Sequence, residues 1–244
     1  MKGIIYFQAT ESSTLQELWR SDGTAAGTYM VKDINPGTAT SAPTRLFKVG
    51  NVIYFSAKEA TTGYELWKTD GTAAGTVMVK DIRPGTGDGL SSQIYTEVLN
   101  GILYFNAEDG INGQELWRSD GTAAGTYMVK DINPGTAWST PNIYGVMNDE
   151  IYFRAMTAAN GSELWKTDGT AAGTVLVKDI YPGPTGAVAN YYGNFLNGYL
   201  YFKADDGVNG AELWKTDGTA AGTTMVKDIY PGAGNQRHFQ RCEL

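Results

Sequence analysis

The sequence predicts an all-β protein: a five-bladed β-propeller of four-stranded antiparallel blades. Three observations carry that expectation. First, the run Glu-Leu-Trp-x-x-Asp-Gly-Thr-Ala-Ala-Gly-Thr begins at Glu17, Glu65, Glu115, Glu163 and Glu212. Its tryptophans, Trp19, Trp67, Trp117, Trp165 and Trp214, stand 48, 50, 48 and 49 residues apart, and a period near fifty marks a solenoid or a propeller. Second, no segment sustains a helical period, while short β-branched and aromatic runs alternate with Gly, Pro and Asn-Gly turn signals. Third, the chain opens on "GIIYFQA", which matches the second-strand segments "NVIYFSA" and "GILYFNA", and "RHFQRCEL" falls where each earlier unit places its first strand. Residues 239–244 are therefore expected to complete blade one and close the ring, removing an open edge. The register runs through residues 1–244 as one array, a single domain.

The third unit shows the elements in order. Residues 95–99 form a first strand that ends at Asn100-Gly101, a hairpin turn pair. Residues 102–107, rich in β-branched and aromatic side chains, form the second. Residues 114–119 carry Glu-Leu-Trp in the third. Residues 126–132 form the fourth, stopped by Pro134-Gly135.

Composition agrees. Hydrophobic residues make up 42%, aromatics 12% and charged residues only 18%, with 31 glycines; disorder needs the opposite balance. The net charge of −7 argues against nucleic acid as a partner. Cys242 and His238 are the sole residues of their kinds, so neither an intrachain disulfide nor a zinc site is expected. No apolar run reaches the ~18 residues of a membrane helix, and the apolar stretch after Met1 is too short for a signal peptide.

The motif Glu-Leu-Trp-x-x-Asp-Gly-Thr-x-x-Gly-Thr followed by Val-Lys-Asp-Ile resembles the bacterial ELWxxDGT repeat family, and the resemblance spans nearly the whole chain. It implies tandem repeats in large, often exported bacterial proteins, hence an extracellular or cell-surface location. It points to neither an activity nor a ligand and leaves function open. A weaker likeness is to Asp-box propellers, whose Asp-Gly turn joins the third and fourth strands of a blade. Here no aromatic closes the box.

The repeated residues read as frame. Asp22, Asp70, Asp120, Asp168 and Asp217 each open a tight turn in which the carboxylate accepts following amides. One carboxylate per loop falls short of the 6–8 oxygens that calcium takes, so no metal or cofactor is expected. The repeat tryptophans are expected to pack between blades. Glu17, Lys32 and Asp33 are expected to form an exposed charge cluster.

Ligand-binding candidates lie in the connections between units, which differ from one another: Arg83, Trp138, Tyr181, Tyr191, Tyr192 and Tyr230. Their aromatic planes suit stacking on a sugar. The loops holding Glu108 and Asp109, and Asp205 and Asp206, could seat a cation or be ordinary turns. Glu97, Asp149 and Glu150 are non-repeated carboxylates, but no motif pairs them, so an enzyme is not expected. The expectation is a monomeric, non-catalytic binding module for glycans or a protein surface, without membrane insertion. The alternative is a spacer in a larger surface protein.

Overall fold

The computed structural model describes residues 3–11, 14–37, 39–91, 94–188, 193–229 and 231. All regular structure in them is β. The chain divides into two compact units, Met1–Met128 and Val129–Leu244.

Among the described residues, nineteen strands form five sheets. The first sheet has three strands: β1 (Ile5–Glu11), β2 (Thr14–Ser21) and β3 (Tyr29–Lys32). The second has four: β4 (Thr44–Val49), β5 (Val52–Lys58), β6 (Tyr64–Thr69) and β7 (Val77–Lys80). The third has β8 (Thr96–Leu99), β9 (Ile102–Glu108), β10 (Gln114–Ser119) and β11 (Tyr127–Lys130), and the boundary between the units falls inside β11. The fourth comprises β12 (Asn142–Met147), β13 (Glu150–Thr157), β14 (Gly161–Thr167) and β15 (Val175–Lys178). The fifth comprises β16 (Asn194–Leu196), β17 (Tyr199–Asp205), β18 (Ala211–Thr216) and β19 (Thr224–Lys227).

Every sheet is a meander in chain order, and the strand pairings are antiparallel. The register repeats from sheet to sheet: Phe7 faces Trp19, Phe55 faces Trp67, Phe105 faces Trp117, Phe153 faces Trp165 and Phe202 faces Trp214. A bulge recurs between Leu and Trp of the third strand, as at Leu66/Trp67. The outermost strand is only four residues long each time, which limits the unpaired edge.

The cores lie between consecutive sheets. In the first unit Trp67, Phe55 and Ala57 pack with Leu18, Val31 and Ile34 of the first sheet. Trp117, Leu103 and Phe105 pack with Tyr54, Leu66, Val79 and Ile82 of the second. In the second unit Trp214, Leu200 and Phe202 pack with Tyr152, Leu164, Val177 and Ile180 of the fourth. A large aromatic facing a β-branched and leucine surface is what two stacked sheets require.

Candidate functional site

The Asp-Gly-Thr loop closes on its own polar groups. Asp22 Oδ1 accepts the Thr24 N–H at 3.0 Å and the Thr24 hydroxyl at 2.7 Å. Thr24 Oγ1 in turn accepts the Gly27 N–H at 2.9 Å, and the Thr28 hydroxyl donates to the Thr24 carbonyl at 2.7 Å. The same four bonds recur in the other loops, for example around Asp168 and Thr170. The Thr24 hydroxyl holds the exposed Asp22 carboxyl below its ordinary range. Gly27 leaves room for that carboxylate, since a Cβ there would collide with it.

The loop also docks on the preceding sheet. Lys32 Nζ donates to the Thr76 carbonyl at 2.8 Å and lies 5.9 Å from the centre of the Trp67 ring. Lys80 reaches Thr126 and Trp117 in the same way, and Lys178 reaches Thr223 and Trp214. Gly121 has φ +87°, and a Cβ on it would strike the Tyr54 hydroxyl; Gly218, at φ +95°, stands likewise against Tyr152. Glycine is needed there for the left-handed backbone and for the close approach.

The motif glutamate corrects the expected charge cluster. Glu17, Glu65, Glu115, Glu163 and Glu212 are fully buried. Glu65 accepts the N–H groups of Ile82, Arg83 and Gly89 at 2.8, 3.2 and 3.1 Å. Glu17 takes the N–H groups of Ile34 and Ser41 together with the Ser41 hydroxyl. Glu163 takes those of Ile180, Tyr181 and Ala187. Glu17, Glu65 and Glu163 thus each latch the connection that leads out of their sheet. Burial pushes Glu65 and Glu163 up to about 7 despite these donors. The third strand is covered on both faces, so alternation does not turn the glutamate to water.

The ligand candidates divide. Arg83 and Tyr181 occupy the same repeat position and lie against the following sheet. Arg83 Nη1 bonds Glu108 Oε1 at 2.9 Å, and its side chain fills the space where a Cβ on Gly87 or Gly110 would stand. Tyr181 stands in the same way over Gly207. Trp138 lies elsewhere in its connection and is 47% exposed. Tyr191, Tyr192 and Tyr230 lie outside the described residues, as do residues 239–244.

The acidic loops are held by their own atoms. Asp109 accepts the N–H groups of Ile111 and Asn112 and the Asn112 side-chain amide, and Asp206 does the same for Val208 and Asn209. Glu150 pairs with Lys166 at 3.0 Å and accepts the Tyr152 hydroxyl. Glu97 accepts the Val98 N–H, and Asp149 sits in a hairpin turn at φ +58°.

No protein-family model and no curated protein matches the chain. Solved structures do. A prolyl endopeptidase from a structural and mechanistic study of two such enzymes is similar with a TM-score of 0.54 and 12% identity, over 92% of this chain and 35% of that one. Prolyl oligopeptidase B from Galerina marginata follows at 0.53 and 11%, over 96% and 35%. TolB from Acinetobacter baumannii is similar at 0.44 and 10%, over 88% and 49%. The chain spans half or less of each. At such identity the likeness concerns the fold alone, and the fold is of the β-propeller class with repeated blades.

Proposed function

We propose that this chain is a non-catalytic binding module: a five-bladed ring whose repeated residues are frame and whose connections carry the ligand. The supporting observation is the division of labour just described. The Asp, Glu, Lys and Gly of the repeat are engaged in holding turns, connections and neighbouring sheets, whereas Trp138 projects from a connection with half its surface free. Loops on a rigid scaffold are where binding residues concentrate.

Five blades and closure by residues 239–244 fit one feature of the first sheet. Among the described residues it has three strands where the others have four, and Ile5 on β1 is 64% exposed. Deleting residues 237–244 is expected to lower the melting temperature and promote aggregation through that edge. An unchanged melting temperature would reject closure.

The ligand class proposed from the aromatic connections is a glycan or another cell-surface ligand. Membership in the ELWxxDGT repeat family, with the extracellular location it implies, is part of the same proposal. Binding on a broad glycan array, followed by titration calorimetry at millimolar sugar, tests it; silence in both would reject the glycan form. The second reading, a spacer with no ligand, is favoured by the inward use of Arg83 and Tyr181, which pack on the next blade.

A further inference from the structure

Asparagine is followed by glycine five times, at Asn100, Asn112, Asn160, Asn197 and Asn209. The pair carries a latent reaction, one reason asparagine counts among the thermolabile residues. The glycine nitrogen, with no Cβ beside it, can attack the side-chain carbonyl carbon of the asparagine. A fold permits this where that nitrogen is open and the side-chain amide is free to turn. Asn100-Gly101 and Asn197-Gly198 meet both conditions. Each is a two-residue hairpin loop, closed by the pair Leu99 and Ile102 or the pair Leu196 and Tyr199. Their φ values are 52° and 78°, and 51° and 77°, the signature of a type I′ turn. The hydrogen bond of such a turn joins the two flanking residues, so the glycine N–H between them lies outside it. All four residues are exposed, and a Cβ on either glycine would meet nothing within 4 Å.

The other three pairs are clamped. Asn112 Nδ2 donates to Asp109 Oδ2 at 2.7 Å, Asn209 Nδ2 to Asp206 Oδ2 at 2.8 Å, and Asn160 Nδ2 to Asp179 Oδ2 at 2.8 Å. A carboxylate there also opposes the negative charge that gathers on the amide oxygen during attack. Gly113, Gly161 and Gly210 are buried, and a Cβ on Gly161 would collide with the backbone of Gly186. The fourth sheet supplies a control. Its first hairpin turns through Asn148 and Asp149, at φ 54° and 58°, between the paired Met147 and Glu150. Both turn residues are exposed, but the aspartate side chain crowds the attacking nitrogen. The Asp-Gly turns of the repeat differ in another way: Asp22 and its equivalents are carboxylates bonded to threonine, and an ionised carboxylate resists attack.

We propose that Asn100 and Asn197 are sites of spontaneous covalent modification, each passing through a succinimide to aspartate or isoaspartate, while Asn112, Asn160 and Asn209 are protected by their clamps. In the first step the glycine nitrogen bonds to the asparagine Cγ and gives up its proton. The side-chain nitrogen leaves with that proton as ammonia. Water then opens the ring. Cleavage of the Cγ–N bond restores the backbone and leaves aspartate; cleavage at the backbone carbonyl leaves isoaspartate, with the chain running through Cγ. The only co-reactant is water. Either product adds a negative charge to a chain that already carries −7. Isoaspartate also lengthens the backbone by one methylene, which a two-residue type I′ loop does not accommodate. The first strands it would release are short, four residues in β8 and three in β16. The first hairpins of the third and fifth sheets are therefore the places where this fold ages, whether or not the chain is a binding module.

The test incubates the full folded chain in warm, mildly alkaline buffer and follows each asparagine by proteolysis and mass spectrometry. The readout is the mass gain of an amide turned into an acid, placed by fragmentation; enzymatic carboxyl methylation separately counts the isoaspartate. Acid is expected to accumulate at Asn100 and Asn197. Asn112, Asn160 and Asn209 are expected to react more slowly by roughly tenfold or more, the rate factor of one net hydrogen bond. In urea, where the clamps are gone, the five rates are expected to converge. Gly101→Asp, which copies the fourth hairpin, is expected to stop the reaction at Asn100 and leave Asn197 unchanged. Equal rates at all five sites in the folded chain would overturn the proposal, because sequence alone would then set them. Reaction in urea with none at Asn100 and Asn197 in the folded chain would overturn it too, because the turn itself would then protect them.

Discussion

The connection from the first sheet to the second and the connection from the third to the fourth start from the same residues and end in different surfaces. Up to Ala39 and Ala137 they have the same sequence, and their buried parts stay the same beyond that point: a serine under the loop and a positive φ after it. Other parts differ: half-buried threonine and lysine on one side, exposed tryptophan and methionine on the other. Beyond the shared stretch the divergence includes surface positions such as Thr40 and Trp138, and one buried position, Ser56 against Arg154. What the repeats share is therefore the part that holds the sheets, and what they do not share is the part free to acquire a ligand.

The comparison breaks most readily at the latch. Glu163→Ala removes the acceptor for two buried N–H groups and a half-buried third, and a buried one left unpaired costs about 1–3 kcal/mol. Urea denaturation should show a loss of several kcal/mol, about 3 or more, from the same principle. Gly218→Ala comes next. It forces a left-handed alanine against the Tyr152 hydroxyl, and a cost of about 1–3 kcal/mol is expected in the same measurement. Lys80→Met removes a bond to the Thr126 carbonyl and a cation held over Trp117. About 1 kcal/mol is expected, because the thioether still fills the space. Trp138→Thr and Met156→Lys stand at the other end, within about 0.5 kcal/mol of the parent, as surface changes usually are.

Acidity sharpens the same contrast. Glu65 and Glu163 titrate near 7 in the fold, against 4.5 for the free side chain. Their folded values are raised, so the fold favours the protonated form, and its stability falls as pH rises from about 4.5 to about 7 and is level above. The turn aspartates are shifted the other way, held down chiefly by the Thr hydroxyls. They stabilise above their ordinary value of 3.8 and that contribution is lost as pH falls below it. Urea midpoints should therefore be higher at pH 5 than at pH 8, and Glu65→Ala should reduce the difference. A higher midpoint at pH 8 would contradict this.

The strands were legible because their signals are local. Residues 114–119 coincide with β10, and residues 102–107 fall one short of β9. The fourth strand is shorter than the pattern suggests. In the first two sheets the N–H of the isoleucine after Val-Lys-Asp turns to the glutamate latch and leaves the ladder. The latch was not legible: a glutamate beside a leucine reads as solvent-facing until both faces of its strand prove to be covered. Arg83 and Tyr181 show a packing role that the sequence did not reveal. Their variation from unit to unit follows the loop of the next blade, where Gly110 and Gly207 make room for them. Trp138 stood out in the sequence as a lone tryptophan, but its meaning depends on the matching loop around Thr40, which only the hydrogen bonds of Asn35 and Asn133 establish.

The claim that shared residues are frame and unshared ones are free surface is tested most directly by comparing two variants in one melting experiment. The double change Trp138→Thr with Met156→Lys is predicted to melt with the parent, within about 2 °C, while Glu163→Ala melts lower by about 6 °C or more, given ~2–4 °C per kcal/mol for a chain of this size. A large drop for the double change beside a small one for Glu163→Ala would contradict the account.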